Sequence, residues 1–273
     1  MDFKALAANS HERSLLIENL LEPFMMVAPM KSHLLLSLLL FLSASNLWAI
    51  IDIPQNLTKT DREESLRILG FGTSSKILSD PYPLGGYSGF EFGFAASNLP
   101  TDQLKNLGSK LSTGQTDISY ASISIGKGLY NNIDVFLNLT PYVQAIQMSQ
   151  FGSQVRWSFY QAENLPLSLS LLLSGNSSTI SNQVSLRTYG FDFIGGLNVN
   201  RVAAYAGVGT INSSGDFLGG TRGLTDSGYQ EHESVSGYHF LLGVNVRIND
   251  FFISGEVDRY RDTVFSGKLG MRL

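Results

Sequence analysis

The sequence predicts an all-β protein: a transmembrane, antiparallel, up-and-down β-barrel of about ten strands, with a short helix before the first strand. Three observations predict it. Charged residues make up 15% of the 273-residue chain, against about 25% in soluble domains. Mean hydropathy is +0.05, too low for a bundle of membrane helices, each of which needs a run of ~20 apolar residues. From Tyr87 onward, apolar side chains recur at every second position, the period of a strand with one apolar and one polar face. In a membrane barrel these faces average to neutral hydropathy, and the 27 glycines suit the polar side.

Composition also excludes function classes. There is no cysteine, so a disulfide scaffold, a Cys-ligated metal and a thiol nucleophile are ruled out. A net charge of −4 leaves no basic footprint for nucleic acid. Gly70-Phe71-Gly72 and Gly207-Val208-Gly209 lack the strand–loop–helix setting of a phosphate cradle. No cofactor or metal is expected.

The chain begins with two segments outside the barrel. Residues 30–49 have the form of a signal peptide: Lys31 and His33, an apolar run through Leu34–Leu42, then small and polar residues ending at Ala49. The apolar run is too short to span a membrane as a helix. Residues 1–29 carry Glu12, Glu18 and Glu22, which a basic leader avoids; they are read as an upstream artefact or as unstructured. Residues 50–85 form the next segment, expected on the periplasmic side. Thr60 and Glu63 have the spacing of a capping box. Leu66, Ile68 and Leu69 supply a short apolar stripe, and Gly70 a stop. A helix over 60–69, docked against or into the barrel mouth, is therefore predicted. Asp80-Pro81-Tyr82-Pro83 stiffens the chain and Gly85-Gly86 lets it turn.

Residues 86–273 are assigned to the barrel. The alternations are centred on Phe90/Phe92/Phe94, Ala121/Ile123/Ile125, Ile133/Val135/Leu137/Leu139, Val155/Trp157/Phe159 and Leu167/Leu169/Leu171/Leu173. They continue at Tyr189/Phe191/Phe193, Val202/Ala204/Ala206/Val208, Tyr238/Phe240/Leu242/Val244/Val246, Phe251/Ile253/Val257 and Phe265/Leu269/Met271/Leu273. Connections after the second, fourth, sixth and eighth strands are short. Those after the first and seventh, 96–115 and 211–233, are long. The last, around Tyr260–Asp262, is short although it lies on the long-loop side. Tight turns at one end and longer loops at the other is the layout of outer-membrane barrels. A soluble barrel would instead show an outer face about 25–35% charged, whereas here the polar face is mostly Gly and Ser.

On these residues, the stretch from Tyr87 to Leu273 resembles a bacterial outer-membrane β-barrel protein. Its last strand, Thr263–Leu273, is similar to the C-terminal strand that the barrel-assembly machinery reads, although it ends in Leu273 where that class has Phe or Tyr. The resemblance names a class and no subfamily. It implies an outer-membrane location, contact with outer-membrane lipid, lipopolysaccharide and the assembly machinery, and a monomer.

The alternation assigns faces. Phe90, Leu137, Trp157, Leu171, Phe191, Phe240 and Leu269 are expected to face lipid. The lumen is expected to hold a polar cluster of Glu91, Arg156, Asp192, His239, Glu256, Lys268 and Arg272, with Asp134, Arg247 and Asp258 nearby. Closure brings Glu91, Lys268 and Glu256 onto three neighbouring strands, one cation between two carboxylates. Tyr120, Phe136, Leu172 and Tyr205 occupy lumen space, so a general porin is not expected. The function read from this is a structural, surface-binding or narrow-channel role. The alternative is an outer-membrane hydrolase of protease, phospholipase or lipid A deacylase type. That needs a His, an acid and a hydroxyl on the outer rim, and His232 between Glu231 and Glu233 is the nearest approach. No catalytic residue is assigned. The stretch 215–233, with Asp216, Asp226, Glu231 and Glu233, reads as a solvated loop or a divalent-cation site.

Overall fold

The computed structural model describes residues 53–109, 117–144, 146–162, 165–219 and 224–273; the predicted signal peptide and residues 1–29 lie outside them. Ten strands form one closed sheet: β1 (Phe90–Pro100), β2 (Asp117–Gly128), β3 (Ile133–Val143), β4 (Met148–Gln161), β5 (Leu167–Ile180), β6 (Val184–Val199), β7 (Val202–Phe217), β8 (Glu231–Ile248), β9 (Phe251–Arg259) and β10 (Thr263–Arg272). Each pairs antiparallel with its sequence neighbour, and β1 pairs with β10 to close the barrel. Reciprocal bonds between the Phe90 and Leu273 backbones seal that seam at the short-turn end. The turns into β7 and β9 place Asn200 and Asn249 at φ 59° and 56°, a left-handed conformation that asparagine tolerates well. The strands run past the alternations in the sequence, β6 and β7 to 16 residues and β8 to 18.

All seven residues expected to face lipid point outward. Leu137, Trp157, Phe191 and Phe240 are exposed, while Phe90, Leu171 and Leu269 are half-buried among outward neighbours. Between the two rims the outward face carries no charge. Outward charges stand at the strand ends: Asp117, Lys127, Arg187, Asp216, His232 and Arg259. Aromatic residues border this belt, with Trp157, Tyr160, Tyr130 and Tyr87 toward the short-turn end and Tyr142, Tyr189 and Tyr238 toward the loop end. On β8 the belt runs from Tyr238 to Ile248. The ten steps between them at ~3.4 Å each span about 34 Å of strand, or roughly 25 Å of height at a tilt of ~35–45°.

The N-terminal segment departs from expectation in place and in detail. It is not at the short-turn end. Residues 53–84 enter at the loop end and run down inside the barrel. The helix α1 spans Lys59–Ser65 and continues as one π-helical turn, Leu66–Gly70. Its cap is Thr58, boxed with Asp61, in place of the Thr60–Glu63 pair. The sequence offers both boxes two residues apart. The earlier one is used because Leu57, fully buried, is fixed to the loop before β8 by a 2.6 Å bond to the carbonyl of Leu224. A helix this short is unstable alone. It is held by Leu66, Ile68 and Leu69 packed among Leu186, Ile211, Phe217 and Val235 of the barrel wall, each leucine contributing ~1.5–3 kcal/mol on full burial.

Residues 71–74 add one more helical turn, the amides of Thr73 and Ser74 bonding back to the carbonyls of Leu69 and Phe71, and residues 75–84 then descend as a single chain without regular secondary structure. Such a chain has no strand partner, so its backbone groups need other partners once water is excluded. The wall supplies them. Thr188 and Asn176 donate to the carbonyls of Gly70 and Thr73, Gln154 donates to that of Lys76, and Asp134 accepts from the amide of Leu84. Wall glycines make the room. A Cβ at Gly196 would lie 2.3 Å from Pro81 and one at Gly215 2.5 Å from Leu66. At the short-turn end Gly85 and Gly86, at φ 101° and 72°, reverse the chain into β1.

Candidate functional site: the lumen and its plug

Every charged residue between Arg67 and β1 meets the wall, and together with Arg62 these charges form three levels of opposite-charge pairing. At the loop end, Arg62 of α1 is buried. Its Nε and Nη2 donate to Glu233 Oε1 at 3.1 and 2.9 Å, and its Nη1 donates to Asp226 Oδ1 at 2.9 Å and to the carbonyl of Leu57. Burial by itself would weaken the guanidinium's hold on its proton. The hydrogen bonds and charges of Glu233 and Asp226 outweigh burial and raise its pKa above the ordinary value.

At mid-lumen the plug presents Lys76. Its Nζ donates to Tyr260 Oη at 2.8 Å and to Ser74 Oγ at 3.2 Å, and lies 3.8 Å from Asp258 Oδ2. The ammonium also sits 4.5 Å from the centre of the Tyr260 ring, a favourable cation–π position. Tyr260 in turn stacks on His239, centroids 4.8 Å apart, and His239 Nε2 lies 2.6 Å from Asp192 Oδ1. One residue further, Glu256 accepts the amides of Ile77 and Leu78 on its two oxygens and the hydroxyl of Tyr205 at 2.7 Å.

At the short-turn end the sign reverses. Asp80 of the plug faces Arg247 at 2.5 Å and Arg272 at 3.5 Å. Arg156 forks onto Asp134 at 2.8 Å and donates to the carbonyls of Asp80 and Tyr82. Beside these, Lys268 Nζ donates to Glu91 Oε1 at 2.7 Å, and Glu91 Oε2 accepts from Ser79.

The structure therefore places all seven residues of the expected lumen cluster inside the barrel, but not as one group. Glu91 and Lys268 are paired. Glu256 is not the second carboxylate of Lys268: it is turned to the plug amides, and the second contact of Lys268 is Ser124 at 3.0 Å. Asp192 and His239 form a separate pair beneath Tyr260. Arg156 and Arg272 hold the plug's lower end. Arg62, Lys76 and Asp80 were missed. Their signal was faint: Lys76 and Asp80 are the only charges between Arg67 and Glu91, and a sparsely charged stretch keeps buried charges only if they are paired.

The acids of 215–233 do not form a cation site. Asp226 and Glu233 serve Arg62, Asp216 pairs with His232, and Glu231 accepts from Ser227. Among the described residues no group of acids and histidines is arranged to hold a metal. His232 lies on β8, facing outward at the rim, its Nδ1 2.8 Å from Asp216. Both side chains are exposed, and His232 makes no hydrogen bond to a hydroxyl among the described residues.

No family model and no curated protein matches this chain. Solved structures do. Ail of Yersinia pestis is 16% identical over 68% of this chain and 97% of its own, with a TM-score of 0.27. The KdgM porin is 8% identical over 66% and 98%, with a TM-score of 0.33. OmpTdeltaL8, a loop-deletion mutant of an outer membrane protein of Vibrio cholerae, is 11% identical over 56% and 53%, with a TM-score of 0.29; there the chain spans about half the length of the protein it matches. At such identities and scores the function of those proteins carries no weight for this one.

Proposed function

We propose that this protein is an outer-membrane β-barrel whose lumen is closed by its own N-terminal segment, and that its role is structural or surface-directed. The observation that carries the reading is the charge pairing of the plug: residues 53–84 cross the lumen with Arg62, Lys76 and Asp80 each matched by opposite charge. Support for the membrane setting comes from the uncharged outward belt, roughly 25 Å high and bordered by aromatic residues, which is the surface a barrel presents to lipid. An apolar surface of this extent is not left in water by a soluble monomer. Where the plug passes Ser75, Tyr120 and Lys268, the remaining space is about 20 Å3, room for about one water. Ten strands also lie near the size at which side chains alone can fill a barrel.

The hydrolase alternative gains no equal support, because the exposed His232–Asp216 pair has no hydroxyl bonded to it. The test is electrical. Purified protein in a planar bilayer should give no large, steady single-channel current. Asp80→Lys, which sets a cation against Arg247 and Arg272, should give flickering openings. Large, steady currents from the unmodified protein would overturn the reading in favour of a diffusion channel.

A further inference from the structure

The outward face of the barrel is uneven in one place. On β7 it carries only small residues at belt height: Val202, Ala204, Ala206, Val208 and Thr210. Beside Val208 and Thr210 the strands on either side carry large ones in register, whereas Ala206 lies between Gly195 and Leu242 and Ala204 between Leu197 and Val244. Phe193, Val208 and Phe240 lie side by side, and Phe191, Thr210 and Tyr238 form the row above. The result is a groove along β7, walled beside Val208 and Thr210 by aromatic side chains two strand spacings apart, or ~10 Å, and open at Ala206 toward Gly195. Toward the loop end it widens into a cleft of about 530 Å3, lined among others by Leu173, Tyr189, Phe191, Asn212, Ser236 and Tyr238. Tyr189 and Tyr238 flank it at 61% and 80% exposure, and Asn212 donates to Ser236 across its upper end at 2.8 Å. One outward position above Tyr189 stands Arg187, which has no ion pair or hydrogen bond among the described residues. Asp216, the outward acid near it, is paired with His232.

We infer that this groove is a binding site for one phosphorylated, acylated lipid of the leaflet at the loop end. An acyl chain lies along Val208, Ala206 and Ala204, between Phe193 and Phe240 at Val208 and against Leu242 and Val244 below it. The polar junction of the lipid reaches Thr210, Asn212, Ser236 and the two tyrosine hydroxyls. The phosphate meets Arg187, whose planar donors suit phosphate. The chemistry is graded in the same order as a lipid: apolar, then uncharged polar, then cationic. The groove continues the apolar belt, so a chain in it stays within the hydrocarbon layer. A flat barrel face offers less, since beside Val208 the walls give the chain contact on three sides. The inference rests on the membrane reading proposed above.

The experiment separates the two. Folding into phospholipid vesicles, scored by the gel mobility of unheated samples, tests the membrane reading. Purified lipid A in detergent, scored by native mass spectrometry, tests the site. The unmodified barrel should retain one lipid A per protein. Arg187→Glu should lower the retained fraction about tenfold, and Ala206→Phe, which fills the groove floor, should do the same, with vesicle folding unchanged for both. Retention equal across the three proteins, or none by the unmodified protein, would overturn the site while leaving the membrane reading standing. Failure of the unmodified protein to enter vesicles would overturn the membrane reading and the site with it. Should Ala206→Phe fold poorly, Ala204→Leu with Arg187→Gln gives the same comparison.

Discussion

The ammonium of Lys76 lies 3.8 Å from the carboxylate of Asp258, and both side chains are almost completely shielded from water. One belongs to the plug and the other to β9, 182 positions later in the chain. The pair sits among Glu256, Asp192 and His239, so Lys76 is the plug cation that faces the mid-lumen acids. Removing it leaves Asp258 buried without its counter-charge, and losing one partner of a buried pair costs ~3–5 kcal/mol. Lys76→Met should lower the denaturant midpoint of the folded barrel by an amount of that order. A midpoint unchanged within error would show that the plug does not depend on this contact.

Lys268 and Glu91 give a cleaner pair. Because Glu256 is held by the amides of Ile77 and Leu78, Glu91 is the one carboxylate that Lys268→Met unpairs, the other lost contact being the hydrogen bond to Ser124. The double variant Lys268→Met with Glu91→Gln should recover most of the loss, and the double-mutant cycle should return a coupling of ~1–3 kcal/mol. Additive effects would mean that the two residues act separately.

Gly196 faces Pro81 of the plug. A Cβ there would come within 2.3 Å of the proline ring, which is closed onto its own backbone and cannot swing aside. Gly196→Leu should block the lower lumen and destabilise the barrel by several kcal/mol, or leave it folded with the plug displaced and protease-sensitive. Limited proteolysis followed by mass measurement distinguishes an intact segment 53–84 from a cut one.

Leu171 points outward from β5 between Trp157 and Phe193, its partners in register. Arginine at that position should cost ~2–4 kcal/mol if it lies at the bilayer midplane. Reversible folding into vesicles measures this directly, and a cost below ~1 kcal/mol would move Leu171 to the interface.

The barrel was legible in the sequence because a strand with one face in lipid and one in a polar lumen must alternate, and ten segments did. Which residues point inward followed from the same parity, so Glu91, Asp192, His239, Glu256 and Lys268 were placed on the correct face. Their partners were not legible. Parity places a side chain on a face but does not fix its depth against an inserted chain. The descent of residues 75–84 has no period to read, being a single length of chain whose backbone hydrogen-bond partners include Asp134, Gln154 and Glu256, roughly 50–180 positions away. The helix was found two residues late because Thr58–Asp61 and Thr60–Glu63 satisfy the same rule. The choice between them depends on Leu57 reaching Leu224, a contact no local pattern announces.

The plug also sets a condition on folding order. Its segment precedes β1, yet the strand residues that pair its charges and the one that takes the amides of Ile77 and Leu78 are on β8, β9 and β10: Glu233, Arg247, Glu256, Asp258 and Arg272. Contacts of such long sequence separation form slowly, since the chain must close large loops before any of them contributes. Until the last strands are in place, Lys76 and Asp80 have no matching charge on the wall. The seam between β1 and β10 must therefore close around a segment already lying in the lumen, or the segment must thread a finished ring. The first route keeps the plug's polar backbone hydrated until the wall side chains reach it, which makes closure of the barrel and seating of the plug a single cooperative event.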